Sequence, residues 1–332
     1  MAPPVLAGKL RSMCAQTILI TGAAGFIGSH AAEAFLARGF RVVGADNFCD
    51  FYDPAWKHAN VRCVGQHMEM HTVDITDASA TAALVRSARP DVILHLAAMA
   101  GVRPSIEKPA LYARVNVEGT VNLLQAAVSS GVSRFVFASS SSVYGNQPKV
   151  PFAEEDPVVE PISPYAATKR AGELICYTYW HLYRLPVFCL RFFTVYGPRQ
   201  RPDLAIQKFT RLIDQGKPVP MFGDGTTSRD YTFIDDIVAG IVAAVERCDR
   251  YRIYNLGGSE PITLNRLIST IEETLGKKAL IQRLPPQPGD VERTYADLAR
   301  STVELGYRPA TSLAEGLKRF VAWYRQWKDV YV

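Results

Sequence analysis

The stretch TILITGAAGFIGSH, residues 17–30, decides the fold. A short apolar run leads straight into a glycine-rich turn, and an amphipathic segment from Phe26 to Arg38 follows it. Continuous apolar strands of this kind are buried on both faces, so a parallel sheet covered by helices on each side is expected. Gly22, Gly25 and Gly28 stand at GxxGxxG spacing between that strand and that helix. Gly22 permits the tight turn, Gly25 lets backbone N–H groups approach a pyrophosphate, and Gly28 lets the helix pack closely on the sheet. The helix start at Phe26 and Ile27 then favours negative charge. The next apolar run, RVVGA at 41–45, ends at Asp46, 18 residues beyond Gly28, and Asn47 follows. A carboxylate there accepts hydrogen bonds from an adenosine ribose and repels a 2′-phosphate, so NAD is expected rather than NADP. Asp74 and Ile75, after a further strand, are candidates to flank the adenine, although Asp74 reads equally as an ordinary turn acid.

The same rhythm continues outward to Phe193. Apolar runs at 91–97 (DVILHLA), 134–139 (RFVFAS) and 187–193 (VFCLRFF) alternate with helix-like stretches at 77–89, 109–130 and 164–184. This is the pattern of a Rossmann-type doubly wound α/β fold. After Tyr196 the chain becomes loop-rich in GPRQRPD and GKPVPMFGDGTTSRD, and the pattern returns in FIDDIVAGIVAAVER and YRIYNLGG. A C-terminal helix is expected from about Leu313 to Trp327. We expect an NAD-binding domain of residues 17–193 with about 232–257, and a smaller interleaved α/β substrate domain of residues 194–231 and 258–332. Residues 1–16 read as a disordered leader.

Composition narrows the partners. With 332 residues, 48% hydrophobic and 21% charged, the chain has the profile of a soluble globular protein, and disorder, collagen and coiled coil are excluded. A net charge of +5 without a block of like charges gives no nucleic-acid footprint. The longest apolar stretch, Val92 to Gly101, falls far short of the roughly 18 to 20 residues that span a bilayer. Six cysteines, at 14, 49, 63, 176, 189 and 248, form no CxxC pair, so neither a metal site nor a disulfide scaffold is expected, and a reducing cytoplasm fits.

Tyr165 and Lys169 stand four apart in SPYAATKRAGEL, where Ser163 is a helix N-cap candidate and Pro164 suits the first helical position. Both then project from one face. The spacing alone proves little; its place after SSSSVYG at 139–145 raises it, because those serines cap a strand at the carboxyl edge of the sheet, where a doubly wound fold holds its ligand. A tyrosine acting as a base near neutrality needs its pKa drawn down by about 3 units. A lysine ammonium and a nicotinamide cation carry the right charge for that. Tyr165 is therefore expected to move the hydroxyl proton and Ser140 to hold the same oxygen.

Together TGAAGFIG, DITD, HLAA, VNVEGT, SSSSVYG and YAATK resemble the extended short-chain dehydrogenase/reductase family of nucleotide-sugar enzymes, over nearly the whole chain from Thr17 to Tyr324. The resemblance implies Tyr165, Lys169 and Ser140 as the catalytic set and Gly22, Gly25, Gly28, Asp46 and Asp74 as NAD ligands. Ala97 and Ala98 would line the dinucleotide, and Asn116 would support the sheet behind the site. Dehydratases and decarboxylases of the family usually carry an acid where this chain has Ser142, and hexose 4-epimerases an Asn where it has Thr194. RFFTVYGPRQRPD, MFGDGTTSRDYTFIDDI and QPGDVERTYADL resemble the UDP-glucuronate 4-epimerase branch. That branch implies hydride removal from C4, a half turn of the 4-keto sugar, and hydride return to the opposite face. The carboxylate of a UDP-hexuronate would meet Ser141, Ser142 and Thr194, with charge from Arg201. Arg229 would meet the diphosphate, Asp290 the uridine ribose, and Arg103 would reach the substrate from the fourth strand. Each of these arginines reads alternatively as a surface ion pair. UDP-glucose or UDP-galactose as substrate, and decarboxylation of UDP-glucuronate, are the rival activities. The family also implies a homodimer built on the helices at about 109–130 and 164–184; the aromatic residues Tyr177, Tyr179, Trp180 and Tyr183 suit an interface or an internal core equally.

Overall fold

The computed structural model describes residues 15–285, 291–328 and 330. The expected leader lies almost entirely outside them, and Asp290 lies outside them too. Twelve strands are formed among the described residues. They are β1 (Thr17–Thr21), β2 (Arg41–Asp46), β3 (Met68–Thr72), β4 (Val92–His95), β5 (Arg134–Ser140), β6 (Val187–Phe192), β7 (Thr194–Tyr196), β8 (Pro218–Phe222), β9 (Ser228–Phe233), β10 (Tyr251–Leu256), β11 (Pro261–Thr263) and β12 (Leu280–Leu284).

Seven of these make one sheet in the order β10-β6-β5-β4-β1-β2-β3, and every pairing in it is parallel. Successive side chains on a strand point to opposite faces, and here both faces are covered. Ile18 and Ile20 of β1 join an apolar cluster with Phe35 of the Phe26–Leu36 helix and Ile237 and Ile241 of the Ile234–Arg247 helix. Leu19, between them, joins the opposite cluster with Val85, Leu123 and Cys176, from the helices Ala78–Ala88, Gly119–Ser129 and Pro164–Tyr183. That two-sided burial is why the strands read as unbroken apolar runs.

The segment after β6 builds two small sheets, β11-β9-β7 and β12-β8. Strand β10 returns to the edge of the large sheet beside β6. Phe209, Met221, Leu267 and Phe320, from the loop-rich half and the C-terminal helix, belong to the same buried cluster as Ile18 and Phe35. The C-terminal helix runs from Leu313 to Trp327, capped by Ser312, whose side chain accepts from the Glu315 N–H.

One expected element differs. The stretch read as a single helix over 109–130 is α-helical at Pro109–Ala113, widens into a π-helical turn at Arg114–Glu118, and resumes as α-helix at Gly119–Ser129. A π turn inserts one residue and re-aims a side chain. Here it carries Asn116, which is buried and grips two other elements. Its Oδ1 accepts from the Met99 N–H at 2.8 Å, and its Nδ2 donates to the Met99 carbonyl and to Thr168 Oγ1, each at 3.0 Å.

Candidate active site

The carboxyl ends of the central strands open into one cavity of about 490 Å³. Connections leave β1 and β4 toward opposite faces, and the crevice so formed is where a sheet of this order receives a ligand. Toward β2 and β3 the cavity is lined by Asp46, Asn47, Asp74 and Ile75, and at β1 by Gly22, Gly25, Phe26, Ile27 and Gly28. Ala97 and Ala98 follow, and toward β5 and β6 stand Ser140, Ser141, Ser142, Tyr165, Lys169, Thr194 and Arg201.

The glycine turn has a steric cause. Gly22 has φ +72°, and a Cβ on it would lie 2.8 Å from the Ala97 nitrogen. A Cβ on Gly28 would lie 2.1 Å from the Gly22 carbonyl oxygen, so any side chain there would push the helix off the turn. Among the described residues no side chain caps the helix at Gly25. Its first N–H groups are thus left for a ligand.

Asp46 ends β2 with its Oδ1 accepting from the Phe48 N–H at 2.9 Å and from Lys57 Nζ at 3.2 Å. Lys57 is buried and also lies 3.3 Å from Cys49 Sγ. Asn47 Nδ2 donates to Asp74 Oδ2 at 3.0 Å. Burial opposes ionisation of Asp74, yet hydrogen bonds from Thr76 and Asn47 outweigh it and hold the acid below its ordinary pKa. The open glycine cradle, the acid at the end of β2 and the apolar wall of Val73, Ile75 and Ala97 fit an adenine dinucleotide.

At the other end, the Pro164–Tyr183 helix begins with Ser163, whose side chain accepts from the Ala166 N–H. Its first turns carry Tyr165 and Lys169 into the cavity. Lys169 Nζ donates to the Ala138 carbonyl at 2.7 Å and lies 5.1 Å from the Phe137 ring centre. Burial lowers its pKa to about 8. Tyr165 hydrogen-bonds with Ser140, and Tyr112 packs edge-on against its ring with centroids 6.3 Å apart. Its pKa is raised, not lowered. Burial dominates, and the influences that oppose it are the Ser140 hydrogen bond and the Arg201 charge. The expectation that Lys169 draws the phenol down is therefore not met in the protein alone, where the ammonium is turned onto the β5 backbone. Ser140 Oγ donates to Ser142 Oγ and accepts from the Ser142 N–H, each at 3.2 Å, which holds the serine run in a tight turn.

One turn further along the same helix, Glu173 is buried outside the cavity lining. Its oxygens accept from Ser139 Oγ at 2.6 Å, from Arg191 Nε and Nη2 at 2.8 and 2.9 Å, and from Arg170 Nη1 at 3.0 Å. Burial favours its neutral form, but Arg191 beside it holds it below the usual carboxylate range. This network bolts the helix bearing Tyr165 and Lys169 to β5 and β6.

Two expected ligands stand outside the cavity lining. Arg103 lies in the first turn of the short Val102–Glu107 helix rather than at the end of β4, and its guanidinium lies 4.5 Å from the Phe222 ring centre. Arg229, on β9, donates to the backbone carbonyls of Ser228 at 2.9 Å and Glu292 at 3.3 Å. Lys57, Tyr52, Phe51, Cys49 and Asp203 line the cavity without having been read from the sequence. A signal existed for Lys57: Asp53 followed by Pro54 is a helix start, and the residue one turn in faces back toward Asp46.

Residues 18–257 match the NAD dependent epimerase/dehydratase family. The chain is 42% identical over 311 residues to the UDP-glucuronate 4-epimerase of Thermodesulfobacterium geofontis, covering 93% of this chain and 96% of that one. It superimposes with a TM-score of 0.88 on the Bacillus cereus UDP-glucuronic acid 4-epimerase in complex with UDP-glucuronic acid and NAD, at 36% identity over 94% of this chain and 99% of that one. The Thermotoga maritima UDP-glucose 4-epimerase with UDP-glucose also gives 0.88, at 33% identity and with coverage of 94% and 99%. By its matched residues and by these likenesses, this chain belongs to the NAD dependent epimerase/dehydratase family.

Proposed function

We propose that the protein is an NAD-dependent UDP-glucuronate 4-epimerase, interconverting UDP-glucuronate and UDP-galacturonate through a 4-keto sugar. One observation carries the reading: a single cavity runs from the glycine turn and Asp46 to Tyr165 and ends on Ser141, Ser142, Thr194 and Arg201. Bound along the glycine end, NAD would supply a hydride acceptor at C4 and a cationic ring near the phenol. Tyr165 exchanges the C4 hydroxyl proton while Ser140 holds the same oxygen. Lys169, held by the Ala138 carbonyl, lines the same end of the cavity as Tyr165.

Oxidation at C4 turns the uronate into a β-keto acid, which loses carbon dioxide when the breaking bond stands perpendicular to the carbonyl. An epimerase has to hold the carboxylate out of that orientation and still let the sugar turn. Short neutral hydroxyls meet both needs, because they hydrogen-bond an anion without a fixed ion pair. Ser142 in place of an acid argues against dehydration and decarboxylation. The fold does not separate uronate from neutral sugar, since relatives of both kinds superimpose equally; Thr194 and the serine run favour the uronate.

Purified protein given UDP-glucuronate is expected to yield UDP-galacturonate with no net reduction of NAD, followed by nucleotide-sugar chromatography. A UDP-pentose with carbon dioxide as the main product would overturn the reading. Tyr165→Phe is expected to lower kcat by at least about a hundredfold.

We read Arg229 as a ligand of the diphosphate, Asp290 of the uridine ribose and Arg103 of the substrate, and expect the protein to work in the cytoplasm as a homodimer. Support for the first is the place of Arg229 on β9, which pairs with β7, the strand that carries Thr194. Among the described residues no helix is long and apolar enough to cross a membrane, and Cys176, Cys189 and Cys248 are buried thiols. Leu174, Tyr177, Leu182 and Tyr183 are each about half exposed or more on the Pro164–Tyr183 helix, apolar surface that a second copy would cover.

A further inference from the structure

Arg201 and Asp203 both line the cavity near Tyr165. Arg201 Nε donates to Asp203 Oδ1 at 3.0 Å and Nη2 to Oδ2 at 2.6 Å. The guanidinium also lies 5.2 Å from the Phe51 ring centre, so its plane is fixed by a second contact. Its side chain is 17% exposed and that of Asp203 41%, which puts the acid on the more open side. The edge of an arginine that carries Nε and Nη2 is the fork that a carboxylate takes in two-point recognition. In this protein that edge is already taken.

We infer that Asp203 is a specificity-determining residue that tempers Arg201. Resting on the uronate reading above, the inference is that a substrate carboxylate meets a charge-compensated pair and the hydroxyls beside it, rather than a bare guanidinium. The consequence is kinetic. A free fork would bind the carboxylate tightly before the sugar turns and would have to release it during the turn, so tighter ground-state binding would slow turnover. Asp203 keeps that hold weak enough for the 4-keto sugar to rotate, while Arg201 still offers its other nitrogen.

The test uses NAD-loaded protein. In the Tyr165→Phe background, which binds without turnover, Asp203→Asn is expected to tighten UDP-glucuronate by about tenfold, the worth of one freed charge-assisted contact, and to leave UDP-glucose affinity unchanged, both read by calorimetry. With Tyr165 intact, Asp203→Asn is expected to lower KM and kcat for UDP-glucuronate together. Asp203→Glu, which restores the charge, is expected to return both toward wild type. Equal shifts for the two sugars, or weaker uronate binding in Asp203→Asn, would overturn the inference. Failure of the uronate reading appears elsewhere, as absence of UDP-galacturonate from the unaltered enzyme, while the affinity ratio still decides the role of Asp203.

Discussion

At the scale of single residues, the site is governed by what each polar group is already bonded to. Lys169 was legible as a partner for Tyr165 from the spacing of four, but not its bond to the Ala138 carbonyl, which depends on a strand 31 residues earlier in the chain. Tyr165 likewise could be picked out by position, while its raised pKa comes from burial, which the hydrogen bond with Ser140 on a separate element only partly offsets. The loss expected of Tyr165→Phe should therefore fall on kcat, with substrate affinity nearly kept, because the phenol contributes a proton and little contact area. Gly28 is the opposite kind of residue, fully interpretable from sequence. Gly28→Ala is expected to strip bound NAD from the purified protein, measured by absorbance after denaturation, since its Cβ would sit 2.1 Å from the Gly22 carbonyl oxygen. An alanine variant that retains full cofactor occupancy would show that the turn tolerates a displaced helix.

At the scale of elements, the Pro164–Tyr183 helix is held by its ends and by its middle. Its start was readable as Ser163 and Pro164, a capping signal made of neighbours in sequence. Its anchor was not, because Glu173, Arg191 and Ser139 come from a helix and two strands and meet only on folding. Removing one member of a buried pair strands the other without compensation, which typically costs about 3–5 kcal/mol. Glu173→Ala is accordingly expected to lower unfolding free energy by that order in urea titration, and to lower kcat by releasing the helix that carries Tyr165. A double change of Glu173 and Arg191 to apolar residues should be less damaging than the sum of the single ones, as a double-mutant cycle would reveal. The π turn at Arg114–Glu118 teaches the same lesson: local pattern specified a helix, and the demand of Asn116 for partners on two other elements widened it.

For the whole molecule, acid stability follows from histidines that folding keeps neutral. Burial lowers His95 to about 3, and burial together with Arg199 lowers His30 to about 3. His95 bridges Thr21 and Thr120 inside the sheet, and His30 contacts Pro198 and Arg199 across the two halves of the chain. Folded values below the unfolded one mean that the unfolded chain binds more protons between about 3 and 6.5, so stability is complete above pH 6.5 and is lost as pH falls. From pH 7 to pH 5 each histidine should remove about 2 kcal/mol, read as a drop in the urea midpoint that His95→Gln and His30→Gln reduce; an undiminished drop in both variants would assign the acid lability to other groups. By itself the sequence determined the strand and helix rhythm, the glycine turn, Asp46 at the end of β2 and the Tyr165 helix, since each depends on periodicity or on residues a few places apart. Only the tertiary structure decided that Lys57 meets Asp46, that Asp203 holds Arg201, that Glu173 is locked by Arg191 and that β10 closes the edge beside β6. These depend on which groups are brought together when water is excluded, and a buried charge takes the partner that the packing provides, wherever in the chain it lies.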